Sequence, residues 1–316
     1  MIATKYIKLE SFWATAWSEY LRKHDVESLM SDLCSGMDEI SVEHLRQIVW
    51  LYERFFDEDK LFEKTAIEQH HAWCSEDLRK APLFERFKAE AMPSIESKYG
   101  LPKGINAYMF FNRFCLEETG SDMSGRIDGK TIIDGGAFVG DSAVMFCDNY
   151  EPENILAFEP SRATLEMLRQ VAERSGLSEK IIPVFKGLGD KADSMCLRNT
   201  GAEAVNPGAT FSTCMDNMPE VGDEVEITTI DAEVEAGGYE VGLIKLDIEG
   251  FEKKAIEGGL ETIKRDKPVL IVSVYHNPVD FFEIKPLLES LGLGYQFMVR
   301  RAEAMIPVAD VVLIAY

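Results

Sequence analysis

The segment Asp134-Gly135-Gly136-Ala137-Phe138-Val139-Gly140-Asp141-Ser142 follows directly on a short apolar run, Thr131–Ile133. Gly136 and Gly140 allow a sharp turn and a close approach of backbone to a ligand. Their G-x-x-x-G spacing differs from the G-x-G-x-x-G that dinucleotide folds use to admit a pyrophosphate, which argues against a nicotinamide-linked oxidoreductase. An acid at the head of such a loop repels pyrophosphate and attracts a cation, so Asp134 suits the ammonium end of a methionine-like group. Glu159 ends the next apolar run, Asn154–Phe158, at a place where a carboxylate can accept from both hydroxyls of a ribose. His276 closes the run Val269–Tyr275. A neutral imidazole there is suited to taking a proton, although lone histidines are more often structural. His70, His71 and Cys74 lack a third and fourth ligand on one helix face, and no metal is expected.

These residues need a parallel sheet to bring them together. Runs at Thr131–Ile133, Asn154–Phe158, Ile181–Phe185, Gly242–Leu246 and Val269–Tyr275 are strand-length, and each of the first two ends at an acid. Val225–Thr228 reads as an extra strand. Between the second and third runs Ser161 caps a helix with Leu165, Leu168 and Ala172 on one face and Gly176 past its end. The alternation defines an α/β, doubly wound sheet whose ligands bind at the carboxyl ends of the central strands. Phe281–Leu291 reads as a helix. Tyr295–Val299 and Val311–Tyr316 have no helix between them and predict a terminal antiparallel hairpin. Upstream, Phe12, Trp13, Trp17 and Leu21, then Leu45, Ile48, Leu51, Tyr52 and Phe55, recur at helical spacing. The aromatic stripe Phe12, Trp13 and Trp17 reads as core or interface. The expected division is a helical N-terminal domain, 1–104, with a soft break at Lys98–Gly104, and a ligand-binding domain, 105–316.

Four segments in this order, Asp134–Gly140, Ala157–Ser161, Thr228–Asp231 and Ile244–Glu252, resemble the FkbM-type family of S-adenosylmethionine-dependent methyltransferases over residues 130 to about 275. The run Ile244-Lys245-Leu246-Asp247-Ile248-Glu249-Gly250-Phe251-Glu252 is the most family-specific. Phe138 departs from the pattern, since many members carry Asn there. The resemblance implies a seven-stranded class I methyltransferase sheet of Rossmann-like form, S-adenosylmethionine as methyl donor, S-adenosylhomocysteine as product, and transfer mostly to oxygen. It implies that Asp134, Gly135, Gly136, Ala137, Phe138, Gly140 and Ser142 line the methionine end and that Glu159 holds the ribose. Phe158 and Pro160 either flank the adenosine or serve as strand end and turn. Gly187 and Asp190 fall where this fold contacts adenine, with a helix cap as the other reading of Asp190. Asp247 lies beside the methyl group. Asp247, Glu249 and His276 are the candidates for orienting or removing an acceptor proton, with a helix-capping role also open to Glu249. Glu252, one turn on, is expected to face helix packing or Lys253.

Composition sets the outer limits. Apolar residues make up 46% of the 316, enough for a sizeable core, which excludes a disordered or low-complexity chain. Lys and Arg number 33 against 55 Asp and Glu, a formal charge of −22 that repels phosphate backbones and anionic membranes. Nucleic acid is therefore not an expected partner. The apolar runs are too short to span a bilayer, so no membrane insertion is expected. The six cysteines form no CxxC pair and read as reduced thiols, and the N-terminus lacks a leader pattern, so a cytoplasmic location is expected. The expected partner is a small-molecule or glycan acceptor, and a homo-oligomer is compatible with the sequence. A non-catalytic module that retains the cofactor fold is the alternative, and retention of both Glu159 and Asp247 speaks against it.

Overall fold

A computed structural model describes residues 6–7, 13–54, 62–63, 75–198, 210–212, 223–301 and 308–316. The strands that matter for the site are β1 (Thr131–Gly135), β2 (Asn154–Phe158), β3 (Ile181–Val184), β4 (Val241–Leu246), β5 (Val269–Ser273), β6 (Phe297–Arg301) and β7 (Val311–Ala315). They form one sheet in the order β6-β7-β5-β4-β1-β2-β3. The pairs β4–β1, β1–β2, β2–β3 and β4–β5 are parallel, and β6–β7 is the expected antiparallel hairpin. Chain order reverses between β1 and β4, which sets the ligand crevice beyond their carboxyl ends. Strands β1, β4 and β5 are buried along their whole length, the reason they read as nearly unbroken apolar runs.

The helices used below are α1 (Ala14–Lys23), α2 (Val26–Cys34), α3 (Glu39–Arg54), α4 (Asp141–Asn149), α5 (Arg162–Arg174), α6 (Ile230–Gly237), α7 (Glu252–Glu257), α8 (Leu260–Asp266) and α9 (Pro278–Ser290). Ser161 caps α5 by accepting from Thr164 N, and Thr229 caps α6 through Ala232 N. The segment Val225–Thr228 is indeed a strand, but of a separate small sheet with Gly187–Leu188, Asp193–Arg198 and Thr210–Ser212.

The chain divides into two compact units, residues 1–86 with 273–315, and residues 87–272. The first unit therefore joins both ends of the chain, and the break expected at Lys98–Gly104 falls inside the second. The reason is visible in the first unit. Strand β6 lies at the sheet edge, and α3 meets it: Ser41 Oγ accepts from Val299 N at 2.9 Å and from Arg300 Nη1 at 2.9 Å. Arg300 also pairs with Asp38 at 3.2 Å. A free edge-strand amide is thus satisfied by a helix that lies far upstream in sequence. Around it, Trp17 stacks on Tyr52 at 4.2 Å, meets Phe281 edge-on at 4.9 Å, and donates from Nε1 to Tyr275 O. Trp17 is core, as its spacing suggested; Phe12, His70, His71 and Cys74 lie outside the described residues.

In the second unit Gly100 ends the helix Met92–Tyr99 with φ 65°, where its N–H returns to Glu96 O. Cys34, Cys115 and Cys147 are free thiols, whereas Cys196 is disulfide-bonded, contrary to the reduced pattern expected throughout. Spacing along the chain does not report whether two sulfurs lie within bonding distance, so the sequence alone could not show this bond. Among the described residues no helix is long and apolar enough to cross a membrane.

Trp17→Ala should lower stability by about 3–5 kcal/mol, the cost of emptying a buried aromatic site. Urea unfolding followed by fluorescence of the remaining tryptophans checks it, and a loss under 1 kcal/mol (about the scale of a surface change) would remove Trp17 from the core.

Candidate functional site

The site is built in the second unit from three loops, one after each of β1, β2 and β4. In the β1–β4 pair Asp134 and Lys245 are direct neighbours. Both side chains are buried, and Lys245 Nζ lies 3.2 Å from Asp134 Oδ1. The same ammonium donates to Gly135 O at 3.1 Å and Gly136 O at 2.8 Å. Ser142, in the first turn of α4, donates to the other oxygen of Asp134 at 2.5 Å. Asp134 thus points inward with 0% exposure, against Lys245 and Ser142. An acid in an apolar strand needs a buried counter-charge, and the parallel register supplies one.

Gly136 has φ 72°, and a Cβ there would lie 1.9 Å from Asp247 O, so no side chain fits where the first and third loops meet. Asp247 N donates to Gly135 O at 3.1 Å, tying the same two loops. Phe138, at φ 48°, is in the left-handed region that Asn and Gly enter most readily. Gly140, at φ 87°, begins α4 and returns its N–H to Ala137 O.

Glu159 sits at the end of β2, almost wholly buried, and each oxygen holds one amide: Oε2 accepts from Phe138 N at 3.1 Å and Oε1 from Ser161 N at 2.8 Å. A carboxylate has about four lone-pair positions, so two amides leave room for two more donors. Burial pushes the Glu159 carboxyl up to about 7, against the pull of the two amides and Lys245. Burial likewise raises Asp141, in the first turn of α4, to about 6; Lys245 opposes the shift and Asp134 adds to it. Burial pulls the Lys245 ammonium down, but Asp134, Asp247 and Asp141 outweigh it and hold it above the ordinary lysine value.

The third loop is organised by Glu252. Its Oε1 accepts from Ile248 N at 2.8 Å and its Oε2 from Gly250 N at 2.9 Å. Glu252 is therefore neither a surface partner of Lys253 nor simple helix packing, but a buried clamp on its own loop. Asp247 and Glu249 are half-buried in that loop, with Glu249 at φ 59°. The residue at the cap position of α7 is Phe251.

The remaining expectations fall as follows. Phe158 is core: its ring is 1% exposed, while its carbonyl accepts from Gly136 N and Ala137 N, both at 3.0 Å. Pro160 is half-buried just beyond it. Gly187 is a buried strand residue of the small sheet, and Asp190 is exposed. The element after Asp190 is the strand Asp193–Arg198, so Asp190 caps no helix. His276 belongs to the first unit, where it is 2% exposed and packs against Trp13 at 5.5 Å and Tyr275 at 4.1 Å between ring centres. Two residues outside the predicted site, Lys245 and Glu252, hold the loops. A lysine inside an otherwise apolar strand was the available signal, because a lysine is almost never buried unless paired.

A sheet in this order, with a glycine loop after β1 and an acid at the end of β2, defines the class I methyltransferase fold. The chain belongs to the methyltransferase FkbM domain family, whose model matches residues 134–297, just over half of it. Methyltransferase FkbM from Methylobacillus flagellatus KT shares the fold at a TM-score of 0.58 and 18% identity, over 95% of this chain. The chain spans 61% of the length of that protein. The O-methyltransferase from Bacillus cereus, solved in complex with SAH, aligns over 79% of this chain and 96% of its own at 13% identity and TM-score 0.40. A methyltransferase from Geobacter sulfurreducens aligns over 72% and 88% at 14% identity and TM-score 0.35. No curated protein matches the chain significantly.

Two outcomes follow from this geometry. Gly136→Ala should cost at least about 1–2 kcal/mol from the left-handed backbone alone, with the Asp247 carbonyl clash in addition; an unfolding midpoint equal to wild type would contradict the loop contact. Glu159 and Asp141 titrate in the folded chain above their unfolded values, so the unfolded chain releases these protons first. Their contribution is full below the unfolded values of 3.8 and 4.5 and is lost as pH rises through about 6 for Asp141 and about 7 for Glu159, at a slope of up to about 1.4 kcal/mol per pH unit for each group. Urea unfolding at several pH values should show that slope reduced in Glu159→Gln relative to wild type.

Proposed function

We propose that this protein is an S-adenosylmethionine-dependent methyltransferase that methylates a hydroxyl of a small molecule, sugar or glycan. The observation that carries this reading is Glu159, a buried carboxylate at the carboxyl end of β2, anchored through one lone pair on each oxygen and beside a glycine loop. The lone pairs left free on Glu159 suit the two hydroxyls of a ribose as donors, and the missing side chain at Gly136 lets the loops after β1 and β4 meet closely. Asp134, Asp141 and Glu159 together face one ammonium, Lys245. A ligand with positive charge offsets the excess of carboxylates in this crevice. When bound, the donor supplies an electrophilic methyl on a sulfonium. The protein's part is to hold the two reactants in line and to receive or orient the acceptor proton. Asp247, half-buried beyond β4 and in contact with Gly136, supports an oxygen acceptor because a carboxylate there can orient a hydroxyl. Glu249 and His276 are the other candidates for that proton.

Calorimetric titration with S-adenosylhomocysteine, followed by an acceptor screen that reads its release, tests the proposal. Glu159→Ala should weaken S-adenosylhomocysteine binding by about 1–3 kcal/mol, the worth of charge-assisted bonds to the ribose; equal affinity would remove Glu159 as the ribose partner. Loss of the group that takes the proton should cut turnover by about 10²–10⁴-fold with little change in cofactor affinity. Asp247→Asn, Glu249→Gln and His276→Ala, assayed side by side, identify which it is, and a set in which none slows turnover leaves alignment as the whole mechanism.

A further inference from the structure

Lys245 has three N–H donors and three oxygens within 3.2 Å: Asp134 Oδ1, Gly135 O and Gly136 O. An ion pair with Asp134 would occupy one donor; the other two fall on consecutive backbone carbonyls of the glycine loop. The opposite edges of the same two peptide units are also held, because Gly136 N and Ala137 N both donate to Phe158 O at 3.0 Å. Each of these peptides is therefore gripped between a carbonyl on β2 and an ammonium on β4. The next amide in the chain, Phe138 N, is the one that meets Glu159. Gly136, with no Cβ to restrict it, has the freedom to rotate these peptide planes. Without a donor at position 245, Gly136 O would lose the charged donor that fixes its plane.

We propose that Lys245 is a positioning residue for cofactor binding, whose ammonium sets the two peptide planes of the Gly135–Ala137 turn and thereby the place where Phe138 N meets Glu159. This rests on the reading of that loop as the S-adenosylmethionine site. Lys245 touches neither the ribose nor the methyl group; it acts through the loop.

The test separates this role from that of a counter-charge to Asp134. In the whole chain, Asp134→Asn is compared with Asp134→Asn/Lys245→Met and Asp134→Asn/Lys245→Gln, so that no double variant leaves the Asp134 carboxylate without its ammonium. Apo unfolding temperature and S-adenosylhomocysteine affinity are measured for each. The Met pair should unfold close to Asp134→Asn yet bind at least about tenfold more weakly, since a charge-assisted bond to the loop is gone. The Gln pair, with a neutral donor at the same place, should recover most of the affinity. If the Met pair binds as well as Asp134→Asn, Lys245 is only a counter-ion and the proposal fails. Should the Met pair not fold, the Gln pair carries the test: affinity close to Asp134→Asn supports the role, and a clear loss at unchanged unfolding temperature overturns it. A wild-type chain that does not bind S-adenosylhomocysteine refutes the cofactor reading itself, an outcome distinct from wild-type binding with an indifferent Met pair.

Discussion

Lys245 stands beside Asp134 in the middle of a sheet whose neighbouring strands are wholly buried. Burying an ammonium or a carboxylate costs several kcal/mol unless the partner's geometry is good and the remaining donors and acceptors are satisfied. Gly135 O and Gly136 O satisfy the ammonium and Ser142 Oγ one carboxylate oxygen, while Asp134 Oδ1 is met only by the Lys245 charge at 3.2 Å. The pair therefore does more than neutralise itself. It couples the end of β1 to the end of β4, and the first turn of α4 to both. Removing Lys245 alone would leave Asp134 buried without its counter-charge, whereas Asp247 and Asp141 still face Lys245 when the Asp134 charge is removed.

The same device recurs at each loop. At the carboxyl end of a parallel sheet the strands stop pairing, and the backbone groups that follow need new partners. Glu159 supplies them for Phe138 and Ser161, and Glu252 for Ile248 and Gly250. In each case a carboxylate is held by backbone amides, which are directional and stiff. Loops with positive φ at Gly136, Phe138, Gly140, Glu249 and Gly250 are held in conformations that most residues avoid. The cost is carboxyls buried away from water, and it shows as the raised titration of Asp141 and Glu159. A crevice of this kind is stiff in its backbone and receptive to positive charge.

The first unit answers a different need. A hairpin at the edge of the sheet exposes one row of backbone groups. Ser41, in the first turn of α3, covers part of that row, and Asp38, just ahead of the helix, pairs with Arg300 of β6, while Trp17, Tyr52 and Phe281 fill the space between α1, α3 and α9. Lys285, buried in α9, reaches Glu289 at 2.7 Å, so in this unit too a buried charged group is paired. The N-terminal helices and the C-terminal hairpin form one core, although most of the chain lies between them.

The order of strands and helices, the glycine loop, the acid at the end of β2 and the terminal hairpin were legible in the sequence, because each depends on neighbours within a few residues or on a repeating apolar pattern. The family resemblance rested on the same short segments. What the tertiary structure decided was who meets whom across the sheet. Asp134 looked like a ligand for a cation and is turned toward Lys245; Glu252 looked peripheral and clamps its own loop; Phe158 is core and Asp190 is exposed. Lys245 and Gly135 are 110 residues apart, and only the register of two parallel strands makes them neighbours. The joining of residues 1–86 to 273–315 was hidden for the same reason. Local pattern determines which element forms, whereas partners for buried charge are set by strand order and register, and these are settled only when the whole chain packs.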